Sequence, residues 1–335
     1  MPLGQFNQGH SEGLLFTHFR FGQGEGVNTN VTSFTGAVNS TVFELSGAQA
    51  NNSTGLLAQM WYQLGNKVNV RSDGKSFDRL ELTVGKIDPF VFFDNNVIAD
   101  DESEGFLNNV FVHNPQLDSG GDVGADEYGF SPGVVAVYAW NANNTNRWKA
   151  SLGLFGAGNG AAFSHSLRDP FAIVQLQYEG KAWVGLPGVY QLYAWNNPQS
   201  ENAFNATPEI HQGVGISMSQ QMTDTVAVFS RMGYQTKGNV NFDASLTGGL
   251  EFSGSVWGRS ADRLGIAVGA LFASDVYQAA TPALSGEEVN SEIFYVYQLN
   301  DHLQVSPHLI HISNPGARSD QDTVTVMGVR TKAAF

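Results

Sequence analysis

Charged and amide side chains recur at every second position of several otherwise apolar segments, which places them on one face of a β-strand. Arg330 and Lys332 share such a face near the end of the chain. Guanidinium, carboxylate and amide groups bind sugar hydroxyls through directed hydrogen bonds. The spacing therefore predicts a solute-contacting face formed by Arg330, Lys332, Glu251, Arg263, Glu292 and Gln298, and, depending on strand register, by Arg79, Glu81, Lys86, Arg147, Lys149 and Arg231.

Two of these carboxylates could instead be catalytic groups. Glu251 and Glu292 could serve as the acid and the nucleophile of a glycoside hydrolase, which works with a pair of carboxyl groups. This alternative makes the chain a secreted, soluble β-sandwich that binds or cleaves glycans. The absence of cysteine excludes a thiol nucleophile, disulfide bonds and thiolate metal sites.

A glycine-rich acidic stretch at 117–127 is a candidate metal site. Asp118, Asp122 and Asp126 supply oxygen atoms, the ligand type that calcium prefers. Their spacing fits no EF-hand loop, so we predict a solvated acidic loop and keep calcium as the alternative. His308 and His311 point to opposite faces of one strand and cannot both bind one ion. We expect no other metal and no cofactor.

The composition restricts the class of protein. The 335 residues are 42% hydrophobic but only 14% charged, with a net charge of -14, whereas soluble domains carry about 25% charged residues. An acidic chain with 17 lysines and arginines lacks the basic face that nucleic-acid binding needs. The longest apolar run, 264–273, is too short for a transmembrane helix. Residues 1–5 lack the features of a signal peptide, so we expect a removed signal or an intracellular protein.

Alternation with a period of two runs through most of the chain and predicts strands separated by turn residues. In 263–272, for example, Leu264, Ile266 and Val268 share one face. About sixteen strands are predicted, at 12–21, 27–36, 40–50, 54–64, 77–88, 134–141, 147–156, 170–179, 189–196, 211–220, 224–234, 246–256, 263–272, 292–299, 303–313 and 323–335.

The distribution of residues favours a membrane barrel over a soluble sandwich. Charges are scarce, glycine is frequent within strands, and the face of the last strand through Met327, Val329 and Phe335 carries no charge. A membrane barrel is apolar outside and polar inside, and aromatic residues form girdles at the lipid interfaces. The terminal Phe335 is typical of the signature read by the outer-membrane assembly machinery. The expected girdle residues are Tyr138, Trp140, Tyr193, Trp195, Tyr234 and Trp257.

One segment departs from the strand pattern. Within the long non-strand stretch 89–133, apolar residues recur at helical spacing in 98–113 after an acidic start, which predicts a short helix. A loop this long is usually functional. We predict that it either constricts the pore or forms an external cap, with constriction residues Asp94, Asp101, Glu102, Glu104, Phe106 and Asn108.

These patterns predict an all-β protein, a transmembrane antiparallel β-barrel of about 16 strands that forms a single domain over 1–335. Sixteen strands leave an aqueous channel, whereas eight are filled by side chains. The channel hypothesis has two forms: passage of small neutral solutes, or a preference for anions and organic acids if Arg330, Lys332, Arg231 and Arg263 make the lumen locally positive.

Three blocks of the chain resemble the carbohydrate-selective porin family of OprB-like outer-membrane porins. The first block comprises Val84-Gly85-Lys86-Ile87-Asp88, Phe92-Phe93-Asp94, Asp101, Phe106-Leu107-Asn108, Phe111 and Asn114-Pro115. The second is Phe130-Ser131-Pro132-Gly133, and the third is the C-terminal run from Glu292 through Asn314-Pro315-Gly316 to Gly328-Val329-Arg330 and Phe335. Two positions depart from the family pattern, because His308 stands where the family usually has Asp and His311 where it usually has Tyr.

The resemblance implies passive diffusion of small solutes, above all mono- or disaccharides, across the outer membrane of a Gram-negative bacterium. No enzymatic activity is expected. The implied partners are small sugars, lipopolysaccharide and phospholipid around the wall, the barrel-assembly machinery, and identical copies in a homotrimer.

Overall fold

One antiparallel sheet dominates the architecture. The computed structural model describes residues 2–8, 11–23, 33–35, 53–72, 75–118, 129–281, 284 and 286–335. The strands in this part of the chain are β1 Pro2–Gln8, β2 Ser11–Gln23, β3 Ser53–Val68, β4 Asp78–Ile87, β5 Ser131–Trp140, β6 Arg147–Phe155, β7 Phe171–Gly180, β8 Gly188–Glu201, β9 Pro208–Gln221, β10 Val226–Lys237, β11 Phe242–Ser253, β12 Arg263–Ala273, β13 Glu287–Asn300, β14 Leu303–Ser313 and β15 Val324–Ala333.

The fifteen strands of the described residues pair in strict sequence order, each antiparallel to the next. Those from β2 to β15 coincide with predicted strands, whereas β1 was not predicted. The predicted strand at 27–36 is wrong at 33–35, which form part of a turn, and its remainder lies outside the described residues. The predicted strand at 40–50 also lies outside them.

The two faces of the sheet have opposite polarity. On β15, Met327 and Val329 are 82% and 68% exposed, whereas Arg330 is 5% exposed and points to the other face. On β12, the exposed Ile266 and Val268 alternate with the buried Ala267. Apolar side chains therefore point outward and polar or small ones inward, which is the polarity of a barrel wall in lipid.

Connections at the two ends of the sheet differ in length. Residues 222–225 and 301–302 link strands at one end, whereas 88–130 and 156–170 link strands at the other. Outer-membrane barrels have short periplasmic turns and long extracellular loops. The end with the short turns is therefore the periplasmic end.

Aromatic side chains form a band on the outer wall at this periplasmic end. The ring centroids lie 4.9 Å apart for Tyr138 and Trp140, and 5.1 Å apart for Trp148 and Tyr178. The girdle assignment was wrong for Tyr193 and Trp195, which are 2% and 4% exposed. They lie on the inner face because they share the strand parity of the buried Gln191.

Residues 88–118, here called the inserted segment, leave the extracellular end of β4 and pack inside the curved sheet. Its residues 100–103 line a cavity with His18 and Arg20 of β2, and the carbonyl oxygen of Glu102 also accepts a hydrogen bond from Arg330 of β15. The first and last parts of the sheet thus face the same segment. The sheet wraps around it.

The predicted helix at 98–113 was wrong in extent. Only α1, Asn109–Val112, is α-helical there, and Asn108 caps it by accepting a hydrogen bond from the Val110 amide. The other α-helix in the described residues is α2, Asp275–Ala280, and single 3-10 turns occur at Pro89–Val91, Gly158–Gly160, Gly254–Trp257 and Pro315–Ala317. None of the helices in this described part is long and apolar enough to span a membrane.

Candidate functional site

A buried arginine binds the inserted segment to the wall at β10. The Arg231 side chain is fully buried, and its Nε donates to Asp94 Oδ1 at 3.0 Å. Its Nη1 donates to the carbonyl oxygen of Phe111 at 2.8 Å, and its Nη2 donates to those of Asp94 and Ala99 at 3.0 and 2.6 Å. One guanidinium therefore joins three separate points of the segment. Arg231 was predicted to contact solute, but it is enclosed by the segment.

Asp94 supplies the negative charge that stabilises the buried guanidinium of Arg231. Its Oδ1 also accepts a hydrogen bond from the Tyr193 hydroxyl at 2.8 Å, and its Oδ2 accepts one from the backbone amide of Asn114 at 2.6 Å. Its backbone is left-handed, with φ of 56°. A buried charge is tolerated when an opposite charge and further hydrogen bonds satisfy it. Asp94, predicted as a constriction residue, acts as an internal anchor.

A second anchor lies on β13. The buried Glu292 carboxylate accepts the amide of Leu107 at 2.9 Å through Oε1 and that of Asn108 at 2.8 Å through Oε2. The Nδ1 atom of His308 lies 2.8 Å from Glu292 Oε1. Asn108 in turn donates from Nδ2 to Asn290 Oδ1 at 2.9 Å. Glu292 was predicted to contact solute, but it binds the backbone at the start of α1.

A third anchor holds the tip of the segment against β15. Arg330 Nη1 donates to the carbonyl oxygens of Glu102 and Gly105 at 2.7 and 2.8 Å, and Nη2 donates to that of Glu104 at 2.9 Å. The Glu104 side chain forms an ion pair with Lys332. Arg330 and Lys332 therefore face inward, as their spacing indicated, but their charged groups bind the segment.

Apolar packing and small wall residues complete the attachment. Phe106 packs between Phe229 and Phe294, with centroid separations of 5.5 and 4.8 Å. A Cβ at Gly233 or Gly215 would overlap the side-chain amide of Asn114, so glycine is required where the segment approaches the wall. This contact accounts for the glycines at these two positions of the inner face.

Between β2 and the inserted segment lies a cavity of about 550 Å3, here called the passage. On its segment side stand five carboxylates, and on the β2 side stand two basic residues. The segment side carries Asp88, Asp100, Asp101, Glu102 and Asp118, together with His113, and the β2 side carries His18 and Arg20. Sequence reasoning identified Asp101 and Glu102 but missed His18 and Arg20, although their alternate positions in a predicted strand were the available signal.

Aromatic rings support the groups around the passage. The Arg20 guanidinium lies 4.9 Å from the centroid of Phe130, and the Lys86 ammonium lies 5.8 Å from it. Lys86 shares the outward parity of Leu82 and Val84 and reaches the ring from the rim of the wall. On the segment, His113 stacks on Phe90 at 3.8 Å. Cations over ring faces are stabilised by the ring quadrupole.

Burial and charge alter the titration of the segment groups. Desolvation raises the pKa of Asp88 to about 6 and that of Asp100 to about 7. Burial disfavours a charged His113 ring, but the hydrogen bond and charge of Asp118, together with Asp100 and Asp88, outweigh it and raise the pKa of His113 to about 9. His113 is therefore charged at neutral pH, and its Nδ1 lies 2.8 Å from Asp118 Oδ2.

Basic residues near the periplasmic end are paired with carboxylates. Arg79 donates to Glu12 and Glu81 at 2.8 and 2.6 Å. Arg263 donates to Glu251 at 3.0 Å. Arg147 and Lys149 both bind Glu179 in the same way. The predicted Gln298 instead donates to the carbonyl oxygen of Asn300 on its own strand.

The calcium hypothesis stays a prediction. Asp118 is paired with His113, whereas Asp122 and Asp126 lie outside the described residues. Among the residues that the structure describes, no group of three or more His, Asp or Glu side chains has the arrangement of a metal site.

An inward-polar, outward-apolar sheet of antiparallel strands with an inserted segment beside a charged passage defines an outer-membrane porin. The model of the carbohydrate-selective porin, OprB family, matches residues 12–335, and the chain belongs to that family.

A solved porin structure has a similar fold. The chain is similar to OprB of Pseudomonas putida, described as a high-pH structure, with 17% identity, a TM-score of 0.65 and coverage of 99% of this chain and 91% of that one. It also matches the outer membrane channel DcaP of Acinetobacter baumannii, with 11% identity, a TM-score of 0.49 and coverage of 99% and 100%. No curated protein matches the chain. The protein is thus a porin of a bacterial outer membrane.

The titration of the passage predicts a pH dependence. As the pH rises from about 5 to about 8, Asp88 and Asp100 lose their protons while His113 stays charged. His18 and Arg20 of β2 and Asp101, Glu102 and Asp118 of the segment are the other charged or titratable groups that face the passage. The net charge of the passage becomes more negative, so single-channel potassium conductance is expected to rise.

Bilayer recordings of the wild type and of the double variant Asp88→Asn with Asp100→Asn check this expectation. The amide variant keeps the hydrogen-bond acceptors but cannot titrate, so its conductance should vary less over the same range. An equal pH response in both proteins would contradict the assignment to these two carboxyls.

Proposed function

We propose that this chain lets mono- and disaccharides diffuse passively across the outer membrane through the passage between β2 and the inserted segment. The observation that carries the proposal is the attachment of the segment by Arg231, Glu292 and Arg330, which narrows the lumen and leaves a polar passage of about 550 Å3. Sites for small ligands usually measure about 300–1,000 Å3.

The walls of the passage suit an uncharged, hydroxyl-rich solute. Carboxylates on the segment face Arg20 and His18 on β2, so acceptors stand on one side and donors on the other. A sugar can exchange hydrogen bonds with water for hydrogen bonds with both walls as it passes. Weak, repeated binding of this kind permits entry as well as exit.

The contacts of the lumen arginines and lysine favour this proposal over an anion channel. Arg231 is paired with Asp94, Lys332 with Glu104 and Arg263 with Glu251, while Arg330 is held by three backbone carbonyl oxygens of the segment. A charge that is already compensated adds little to the field felt by an anion.

The soluble glycosidase alternative also loses support. Glu292 is buried and accepts backbone amides of the inserted segment, and Glu251 is engaged by Arg263. A glycoside hydrolase needs two carboxyl groups that flank one bound sugar. Diffusion needs no catalytic group and no cofactor.

A planar-bilayer recording tests the proposed function. Stepwise conductance that glucose or maltose reduces at millimolar concentration is the expected result. The variant Ser103→Trp, on the passage lining, should lower both conductance and sugar block, because an indole occupies much of the space. Ser164→Trp, on an exposed extracellular connection, is the matched control. Steps without any sugar block in the wild type would contradict the proposal.

The surroundings of the barrel are part of the proposal. The apolar outer wall suits phospholipid on the periplasmic side and lipopolysaccharide on the other. Insertion of such a barrel requires the assembly machinery of the outer membrane. We also propose that 1–335 forms a single barrel domain and that three copies associate, which crosslinking of the protein in its native membrane would test.

A further inference from the structure

The connection between β4 and β5 is strongly acidic in sequence, and the connection between β2 and β3 has no basic residue. The connection 88–130 contains ten aspartates and glutamates, and the connection 24–52 contains two, Glu25 and Glu44. Neither contains a lysine or an arginine. The first begins at Asp88 and runs to Phe130, and both of these residues line the passage.

The structure brings five of these carboxylates to the passage itself. Asp88, Asp100, Asp101, Glu102 and Asp118 line it. Only His113 on the segment offsets them locally, since it lies 2.8 Å from Asp118. Asp100 is one-third exposed and approaches Arg231 no closer than 3.8 Å, while its Oδ1 has no hydrogen-bond partner.

Arginine and lysine side chains of the lumen do not fully cancel the negative charge of these carboxylates. Across the passage, Arg20 is the one arginine or lysine among the lining residues that the structure describes. Of the lumen bases nearer the periplasm, Arg79 is paired with Glu12 and Glu81, Arg263 with Glu251 and Lys332 with Glu104. Arg330 donates to carbonyl oxygens of the segment, so His113, Arg20 and Arg330 together offset three of the five carboxylates. The narrow part of the route therefore keeps an excess of negative charge even when Asp100, whose pKa is raised to about 7, is partly protonated, while the bases of the periplasmic mouth are paired with carboxylates.

We propose that the passage admits cationic solutes in preference to anionic ones, so that protonated amino sugars are among its substrates and sugar phosphates and sugar acids are excluded. Negative charge in a narrow, low-dielectric cleft raises the local concentration of cations and lowers that of anions. The hydroxyl groups of an amino sugar use the same wall contacts as a neutral sugar, and its ammonium adds an attraction to Asp101 and Glu102. This inference rests on the proposed sugar-porin function and specifies its substrate class.

The reversal potential across a bilayer under a tenfold potassium chloride gradient tests the charge preference. The wild type is expected to give a potassium-to-chloride permeability ratio of about three or more. The double variant Asp101→Asn with Glu102→Gln removes two carboxylates that face the passage without changing side-chain shape, and its ratio should fall towards one. The double variant Asp224→Asn with Asp301→Asn removes two exposed carboxylates from periplasmic turns and should keep the wild-type ratio.

Liposome swelling with glucosamine, glucose and glucose 6-phosphate tests the substrate class. The wild type should admit glucosamine at least as fast as glucose and should admit glucose 6-phosphate several-fold more slowly, and the passage variant should narrow these differences. A permeability ratio at or below one, or equal entry of the phosphate, would overturn this inference alone. Absence of conductance would overturn the proposed function together with it.

Discussion

Replacing Arg231 by methionine is expected to lower the free energy of unfolding by about 3–5 kcal/mol and to alter the channel. The substitution keeps much of the side-chain volume but leaves the Asp94 carboxylate buried without its positive partner. It also removes the donors to the carbonyl oxygens of Phe111, Asp94 and Ala99. The segment then loses three points of attachment at once, so single-channel steps should become larger and less uniform.

The temperature at which the folded barrel loses its compact form on a denaturing gel, together with bilayer recordings, measures both effects. Arg318→Gln is the control, because Arg318 forms an ion pair with Asp320 on an exposed connection. Exposed pairs contribute about 0–1 kcal/mol. Wild-type stability and wild-type steps in Arg231→Met would show that Arg231 does not hold the segment.

Replacing Glu292 by alanine is expected to have an effect of similar size, about 3–5 kcal/mol. The amides of Leu107 and Asn108 would remain buried without an acceptor, and His308 would lose its partner. Glu292→Gln retains one acceptor oxygen and should show an intermediate loss. The start of α1 would separate from β13, so sugar block of the conductance should weaken.

Glu251→Gln provides the matched comparison, since Glu251 lies on the same inner face but binds Arg263 rather than the segment. Its stability should change by less than about 1 kcal/mol. Arg231→Met and Glu292→Ala together should cost less than the sum of the two, because both release the same segment and effects at coupled sites are not additive. Full additivity would indicate that the two anchors act independently.

Local patterns predicted the strands because the period of a strand is short. The face of β15 that carries Met327 and Val329 could be separated from the face of Arg330 and Lys332 by counting residues. Lipid outside the barrel and water inside it each determine which side-chain polarity is favourable at a given position. The strand pattern can therefore be recognised residue by residue. The N-terminal strand β1, seven residues with little alternation, was missed for the same reason.

The inserted segment was located correctly, but its conformation was not predictable from local spacing. A helix over 98–113 would satisfy backbone groups within the segment. In the structure, Arg330 donates to three of its carbonyl oxygens and Glu292 accepts two of its amides, so most of the segment needs no helix. These partners lie 184 to 228 residues away in sequence and leave no periodic signal.

The sequence by itself determined the class of this protein: an outward apolar face, an inward polar face and a family pattern that together define an outer-membrane sugar porin. Only the tertiary structure decided which inward charges face solute. Arg231, Glu292 and Arg330 point to the inner face of the sheet, as Glu251 does, yet they bind the backbone of the inserted segment. Strand parity places a side chain on a face, whereas its partner depends on where a distant segment folds. The charged residues that line the passage are therefore Arg20, Asp101 and their neighbours.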